Sequence, residues 1–313
     1  MLDIYDPELS ILISSAISQI HSRMERHAPT LSQRVFDWMK HLCGSENPEM
    51  YFKHPQAFPM LLLPWWAEKS ILGRLDTDFQ SSIVNATING YYYIRLIDNL
   101  MDGHATVELE LLSALGIFHT DLLTALHPYF EHGHEFWDFF SATSLQSAEF
   151  ATVDAQLTDI SRKRFVEVAA KKTCGAKVPV AAVCFKNDCP ELIEQWTVFI
   201  DLLGCWHLML DDVFDWSGDF ERQTPSYFLS EAKRQKKIDE SVPEWILREG
   251  FEWGVENVRD WIDASRSVAQ ELRSPDLMVY LDTRDSMLLR RKKAIADALG
   301  TAAKTMAKLN QHD

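Results

Sequence analysis

Apolar residues recur every three or four positions along most of this chain. Between Glu8 and Arg26 they fall at 9, 11, 12, 13, 16, 17, 20 and 24, the stripe of an amphipathic helix. A second helix is predicted over 79–102, carrying Ile83, Val84, Ile88, Tyr91, Ile94, Leu96 and Ile97 and stopping at Gly103. A third is predicted over 106–127, ending near His127-Pro128. GSENPE (44–49) reads as a turn and HPYFEHGH (127–134) as a loop. Residues 135–171 read as helical, with a weak stretch over 141–146. Pro179 is expected to kink or interrupt the next apolar segment. Pro190 in NDCPEL marks a helix start, and that helix is predicted to run to about Trp216 and meet Gly218. DFERQTPSY (219–227) reads as a polar loop, and helices resume over 228–238, 243–272 and 276–309. Strand-type alternation is almost absent, and neither a linker nor an internal repeat interrupts the pattern. The prediction is one all-α domain of about ten helices over residues 1–313.

Composition narrows what such a domain does. Lys plus Arg number 31 and Asp plus Glu 46, a formal net charge of −15. Bulk charge therefore opposes binding to nucleic acid or to an anionic membrane. An anionic ligand would need a local basic or metal site. The acidic start MLDIYDPELS lacks a secretory pattern. The apolar stretch 196–210 is interrupted by Asp201 and His207, too short and polar for stable membrane insertion. The five cysteines (43, 174, 184, 189, 205) lack metal-site spacing, and zinc is not expected at Cys184 and Cys189. Reduced, mostly buried thiols in a cytoplasmic protein are expected.

Two short acidic segments carry the candidate chemistry. Arg95-Leu-Ile-Asp98-Asn99-Leu-Met-Asp102 and Leu210-Asp211-Asp212-Val-Phe-Asp215 each place two carboxylates four residues apart, on one helix face. Both pairs close a strongly apolar helix, where the dipole disfavours bare anions. Like-charged neighbours also raise each other's pKa. A solvated helix end accounts for one such pair. Two of them call for something cationic, and hard oxygen ligands at this spacing suit Mg²⁺ bridging to substrate phosphates. Asn99 and Asp212 point off these faces and are expected to orient the ligands rather than bind metal.

Lys172-Thr173, an apolar helix, and then Asp211-Asp212-Val-Phe-Asp215-Trp-Ser-Gly-Asp219 together resemble the second half of the trans-isoprenyl diphosphate synthase superfamily. Asp98-x-x-x-Asp102, on the helix with Tyr91–Tyr93 and Arg95, resembles its first aspartate-rich motif, in a form similar to that of squalene and phytoene synthases. The resemblance covers roughly residues 55–225. It implies a helical barrel around a deep apolar cavity, with three Mg²⁺ ions at the mouth between the two motifs.

The sequence also departs from that family. Chain-elongating members carry Gly-Lys-Arg-x-Arg-Pro near their start, which binds the co-substrate diphosphate. The matching stretch here, Pro55-Gln-Ala-Phe-Pro59-Met, has no cation. Arg-Arg is missing after the first motif, where Gly103-His104 stands, and Phe-Gln before the second, where His207-Leu208 stands. The groups for one allylic diphosphate remain, while those for a second are missing.

The expectation is therefore a class I terpene synthase acting on one prenyl diphosphate, C15 favoured over C20. Asp98, Asp102, Asp211 and Asp215 would hold Mg²⁺. Lys172 and Thr173, with one or more of Arg95, Arg162, Arg164 and Arg222, would take up diphosphate charge. Tyr91, Phe185 and Phe214 could stabilise an allylic cation, with Trp65, Trp66, Tyr92 and Trp206 nearby, although core packing explains any one of them. His207 could line the cavity, act as a base, or be a satisfied core histidine. Lys171 and Lys172 are adjacent, so at most one is expected to face inward, and the resemblance favours Lys172. Tyr280 and Arg284 form a candidate closing pair, and Arg290–Lys293 reads as a solvated face. Two alternatives stay open: a chain-elongating or head-to-head prenyl synthase, and a non-catalytic regulatory subunit of one. A homodimer is compatible with either.

Overall fold

The computed structural model describes residues 5–54, 57–102, 109–154 and 158–309. Among the described residues the regular structure is helical throughout. They cluster into two compact units, one of residues 1–151 with 171–200, the other of 152–170 with 201–313.

The first unit begins with α1 (Pro7–His27), capped by the Asp6 carboxylate, which accepts the Glu8 N–H at 3.0 Å. The predicted stripe buries Leu9, Ile13, Ala16, Ile17, Ile20 and Met24. α2 (Pro29–Cys43) ends on Gly44 at φ 59°, a left-handed stop that only glycine takes without strain. After the short α3 (Met50–Lys53) comes α4 (Leu62–Leu72), whose first seven residues are all buried. α5 (Thr77–Asp102) carries the first acidic motif at its C-terminal end. A 3₁₀ turn (Leu109–Leu112) leads into α6 (Ser113–Leu126), which packs along α5. Leu109–Leu126 is apolar enough to cross a bilayer by length and composition. Nonetheless Leu111, Ala114, Phe118, Leu122 and Leu126 are buried in protein, and the buried Asp121 pairs with Arg23 of α1. α7 (Glu135–Asp154) follows, and α9 (Lys177–Lys186) packs on α4.

The second unit holds most of α8 (Arg162–Lys172) and of α10 (Ile193–Phe214). It also contains α11 (Trp216–Arg222), α12 (Tyr227–Gln235), α13 (Val242–Trp245), α14 (Phe251–Glu271) and α15 (Pro275–Leu309). A π-helical turn, Ile246–Gly250, joins α13 to α14. Gly250 is required there, because a Cβ would overlap the Trp245 ring.

Three expectations need correction. The stretch 141–146 does not break α7, since Ser144 folds its hydroxyl back onto the Phe140 carbonyl at 2.8 Å. The interruption falls further on, and α8 restarts where Ser161 Oγ accepts the Arg164 N–H at 3.3 Å. Pro179 interrupts nothing: it lies in the first turn of α9, where a missing N–H costs no hydrogen bond. Gly218 does not end a helix but sits inside α11, so the loop before α12 shrinks to 223–226. The expected stop at Gly103 lies outside the described residues.

Candidate functional site

The first acidic motif closes α5. Asp98 is half-buried, and its neighbour Asn99 is 6% exposed. The Asp102 side chain lies outside the described residues. One turn before Asp98, Arg95 keeps its Nε buried without a hydrogen-bond partner among the described residues. Tyr91 stacks near Tyr51, with centroids at 4.8 Å, and meets Phe52 edge-on at 5.4 Å. Burial pushes its phenol pKa up, and Tyr51 adds to the shift. Lys172 ends α8 as an exposed residue while Lys171 is half-buried, and Thr173 opens the 3₁₀ turn after it. Phe185 joins a ring cluster with His134, Phe136 and Phe139.

The second motif closes α10. Asp211 and Asp215 are exposed and stand one turn apart, with the Asp215 N–H on the Asp211 carbonyl at 2.9 Å. One turn earlier, His207 Nδ1 lies 3.5 Å from Asp211 Oδ2. Phe214 meets Phe251 edge-on at 5.7 Å, and the Arg291 guanidinium lies over its ring at 4.0 Å. Lys292 pairs with Glu252. The Arg290–Lys293 run is mostly exposed, as expected, with Arg291 and Lys292 making surface contacts to Phe214 and Glu252.

The other predicted cations have protein partners. Arg162 donates to Asn257 Oδ1 at 3.1 Å and lies over Trp261 at 5.1 Å. Arg164 pairs with Glu167 and Arg222 with Asp219, each at 2.9 Å. Tyr280 and Arg284 are buried in α15, the guanidinium 4.7 Å from the ring centre. All five cysteines are free thiols, and burial pushes Cys205 up to about 12. Two cavities in the first unit, of about 270 Å³ between Arg23 and Asp121 and about 450 Å³ between Asp76 and Lys186, include no residue of either acidic motif.

Sequence reasoning missed Arg291, Gly254 and Glu68. A cation 77 residues from its ring partner leaves no local signal, and neither does a glycine kept for space. Glu68 gave one: a lone carboxylate in the apolar run LLLPWWAEKSIL.

No protein-family model matches the sequence, and no curated protein matches it. Solved structures do match in fold. A geranylgeranyl pyrophosphate synthase from Corynebacterium glutamicum aligns over 93% of this chain and 96% of its own, with TM-score 0.66 and 14% identity. A geranylgeranyl pyrophosphate synthetase from the archaeon Geoglobus acetivorans aligns over 91% and 99%, with TM-score 0.62 and 13% identity. An octaprenyl pyrophosphate synthase from Helicobacter pylori aligns over 83% and 98%, with TM-score 0.57 and 9% identity. The chain thus has the all-α fold of the class I isoprenoid synthases.

Proposed function

We propose that this chain is a Mg²⁺-dependent enzyme that ionises an allylic prenyl diphosphate. The observation that carries the reading is the exposed pair Asp211 and Asp215 at the tip of an apolar helix, in a fold like that of prenyl diphosphate synthases. The donor chemistry suits the ion, two hard carboxylates one turn apart and free of thiols, while no group of three candidate ligands lies together among the described residues. Asp98 and Asp102 are the corresponding ligands of the first motif. Bound there, Mg²⁺ supplies charge neutralisation and Lewis-acid assistance to the leaving diphosphate.

The chain's own residues do the rest. Lys172, with Thr173 and Arg95, takes up charge on the departing pyrophosphate, which leaves with the electron pair of the broken C–O bond. Tyr91 is the candidate ring for the allylic cation, worth roughly 0.5–2 kcal/mol, whereas Phe214 already carries the Arg291 guanidinium over its ring. Arg162, Arg164 and Arg222 are engaged with Asn257, Glu167 and Asp219 and would have to leave them to join the site. His207 is the candidate base for a terminal deprotonation.

Two finer readings share this step. Transfer of the cation to a second prenyl unit, as in a chain-elongating synthase, has the support of the structural neighbours. Loss of pyrophosphate from a single C15 or C20 substrate, as in a terpene synthase, has the support of the missing cations at 55–60 and after Asp102. A regulatory subunit would have no need of four intact carboxylates.

The test is incubation with geranyl, farnesyl or geranylgeranyl diphosphate and Mg²⁺, with and without isopentenyl diphosphate. A longer diphosphate formed only with the co-substrate selects elongation. A hydrocarbon or alcohol formed without it selects the terpene synthase. Absence of Mg²⁺-dependent pyrophosphate release in every arm refutes the reading.

A further inference from the structure

Between the exposed carboxylates of the second motif, α10 presents two buried residues. Asp212 is 8% exposed, and its Oδ2 accepts the backbone N–H groups of Tyr227 at 3.0 Å and Phe228 at 3.4 Å. These are the first two residues of α12, and Ser226 Oγ takes the third N–H, from Leu229, at 3.2 Å. A helix start has four such N–H groups without intrahelical partners, and a carboxylate beside them is favoured by the dipole. Here the cap is supplied by another helix, so it ties the tip of α10 to α12.

Val213, the next residue, is fully buried. α14 passes it at Gly254, where a Cβ would lie 2.7 Å from Val213 Cγ2 and 2.9 Å from Phe228 Cε2. This glycine is needed for space: the last turn of α10, the first of α12 and the early part of α14 meet there too closely for a side chain.

We propose that Asp212 and Gly254 are positioning residues that fix the last turn of α10 and so set the stance of Asp211 and Asp215 toward a divalent cation. The inference rests on the Mg²⁺ reading above. Mg²⁺ demands near-ideal octahedral geometry, so a tip free to shift or fray would bind it poorly. Asp212 acts through its acceptor oxygen on α12, whereas a metal ligand would act through its charge.

That difference is testable in the full chain by calorimetric titration of Mg²⁺ in the presence of inorganic pyrophosphate. Asn caps a helix about as well as Asp but is a far weaker Mg²⁺ ligand. Asp212→Asn should therefore stay within about threefold of the wild-type Mg²⁺ dissociation constant. Asp212→Ala should weaken binding about tenfold or more, and Asp211→Asn should do the same. Gly254→Ala should weaken it about fivefold, and adding Val213→Ala should restore part of the loss by removing the clashing methyls while the Phe228 contact remains. Circular dichroism checks folding, and if Asp212→Ala does not fold, the comparison of Asp212→Asn with Asp211→Asn still decides. The inference is overturned if Asp212→Asn loses as much affinity as Asp211→Asn, or if Asp212→Ala and Gly254→Ala both match wild type. Wild-type protein that binds no Mg²⁺ with pyrophosphate overturns the Mg²⁺ reading itself.

Discussion

Glu68 offers a sharp test of the energetics. It lies in α4 with no exposed surface, and no ion pair of it is present among the described residues. Its Oε2 accepts the Asp76 N–H at 3.1 Å and Gln80 Nε2 at 3.0 Å. Its Oε1 and Gln80 Oε1 are both buried without a well-formed hydrogen bond, with the Asn187 side-chain amide beside the carboxylate. Burial pushes the Glu68 carboxyl above its ordinary 4.5, with the Asp76 charge adding to the shift and the bonds from Asp76 N–H, Gln80 and Asn187 opposing it. Glu68→Gln keeps an oxygen for the two existing donors, removes the charge and adds an amide that can serve Gln80. An unsatisfied buried acceptor costs about 1–3 kcal/mol, so the variant should be more stable by about 1–2 kcal/mol at pH 8. In a chain of this size that is about 2–4 °C in Tm.

The sign with pH follows from linkage. The folded carboxyl binds its proton more tightly than the unfolded one, so the Glu68 penalty is absent below pH 4.5 and grows as pH rises toward the folded pKa. The advantage of Glu68→Gln should therefore be near zero at about pH 4.5 and reach its full value above the folded pKa. Urea unfolding of both proteins at several pH values measures it. A variant less stable than wild type at pH 8, or a difference that does not change with pH, would refute the reasoning. Glu68→Ala should instead lose about 2–4 kcal/mol, since it leaves a cavity and two donors without an acceptor.

Three further outcomes are expected. Asp98→Ala and Asp211→Ala should each reduce Mg²⁺-dependent pyrophosphate release at least a hundredfold, and Asp211→Ala should do so without lowering Tm, since Asp211 is exposed; a coupled phosphate assay reads it. Gly250→Ala should cost about 1–3 kcal/mol through overlap with the Trp245 ring, checked by urea unfolding, and Trp245→Leu should relieve part of it. Arg23→Ala should cost about 1–3 kcal/mol by leaving the buried Asp121 without its cation, and Asp121→Asn in that background should recover stability.

Helix positions were legible in the sequence wherever one face was apolar. α1, α5, α12 and α15 begin and end within three residues of their predicted spans, and the helix predicted over 243–272 is divided into α13, the π turn and α14, because a stripe of period 3.6 has few competing readings but does not mark a change of helix type. The errors came where local residues suggested a break that the surroundings do not need. Pro179 falls in a first turn, and the polar run of α7 bonds back on its own helix. Gly218 is taken up by α11, beneath the Arg222 side chain. The acidic pairs were legible because four-residue spacing is itself helix geometry. Their supports were not: Asp212 reaches N–H groups fifteen and sixteen residues on, Arg162 bonds a residue 95 positions away, and Arg291 finds Phe214 only once both helices have packed.

The choice between elongation and single-substrate chemistry can be put as a magnitude. An elongating enzyme must hold a second diphosphate, and the family's segment for it supplies three cations where this chain has Ala57, Phe58 and their neighbours. The nearest upstream lysine, Lys53, is engaged with Glu49 at 3.5 Å and Ser14 at 3.3 Å. Each charge-assisted contact contributes about 1.5–3 kcal/mol, so losing three amounts to about 4–9 kcal/mol, or roughly three to six powers of ten in affinity. Enzymes commonly saturate between about 1 μM and 1 mM substrate. Isopentenyl diphosphate should then fail to saturate this protein below about 1 mM, while an allylic diphosphate with Mg²⁺ saturates in the ordinary range. Steady-state kinetics with each varied in turn measures the contrast. Micromolar saturation by isopentenyl diphosphate would mean that other cations of this chain have taken over the second site, and the argument from residues 55–60 would fall with it.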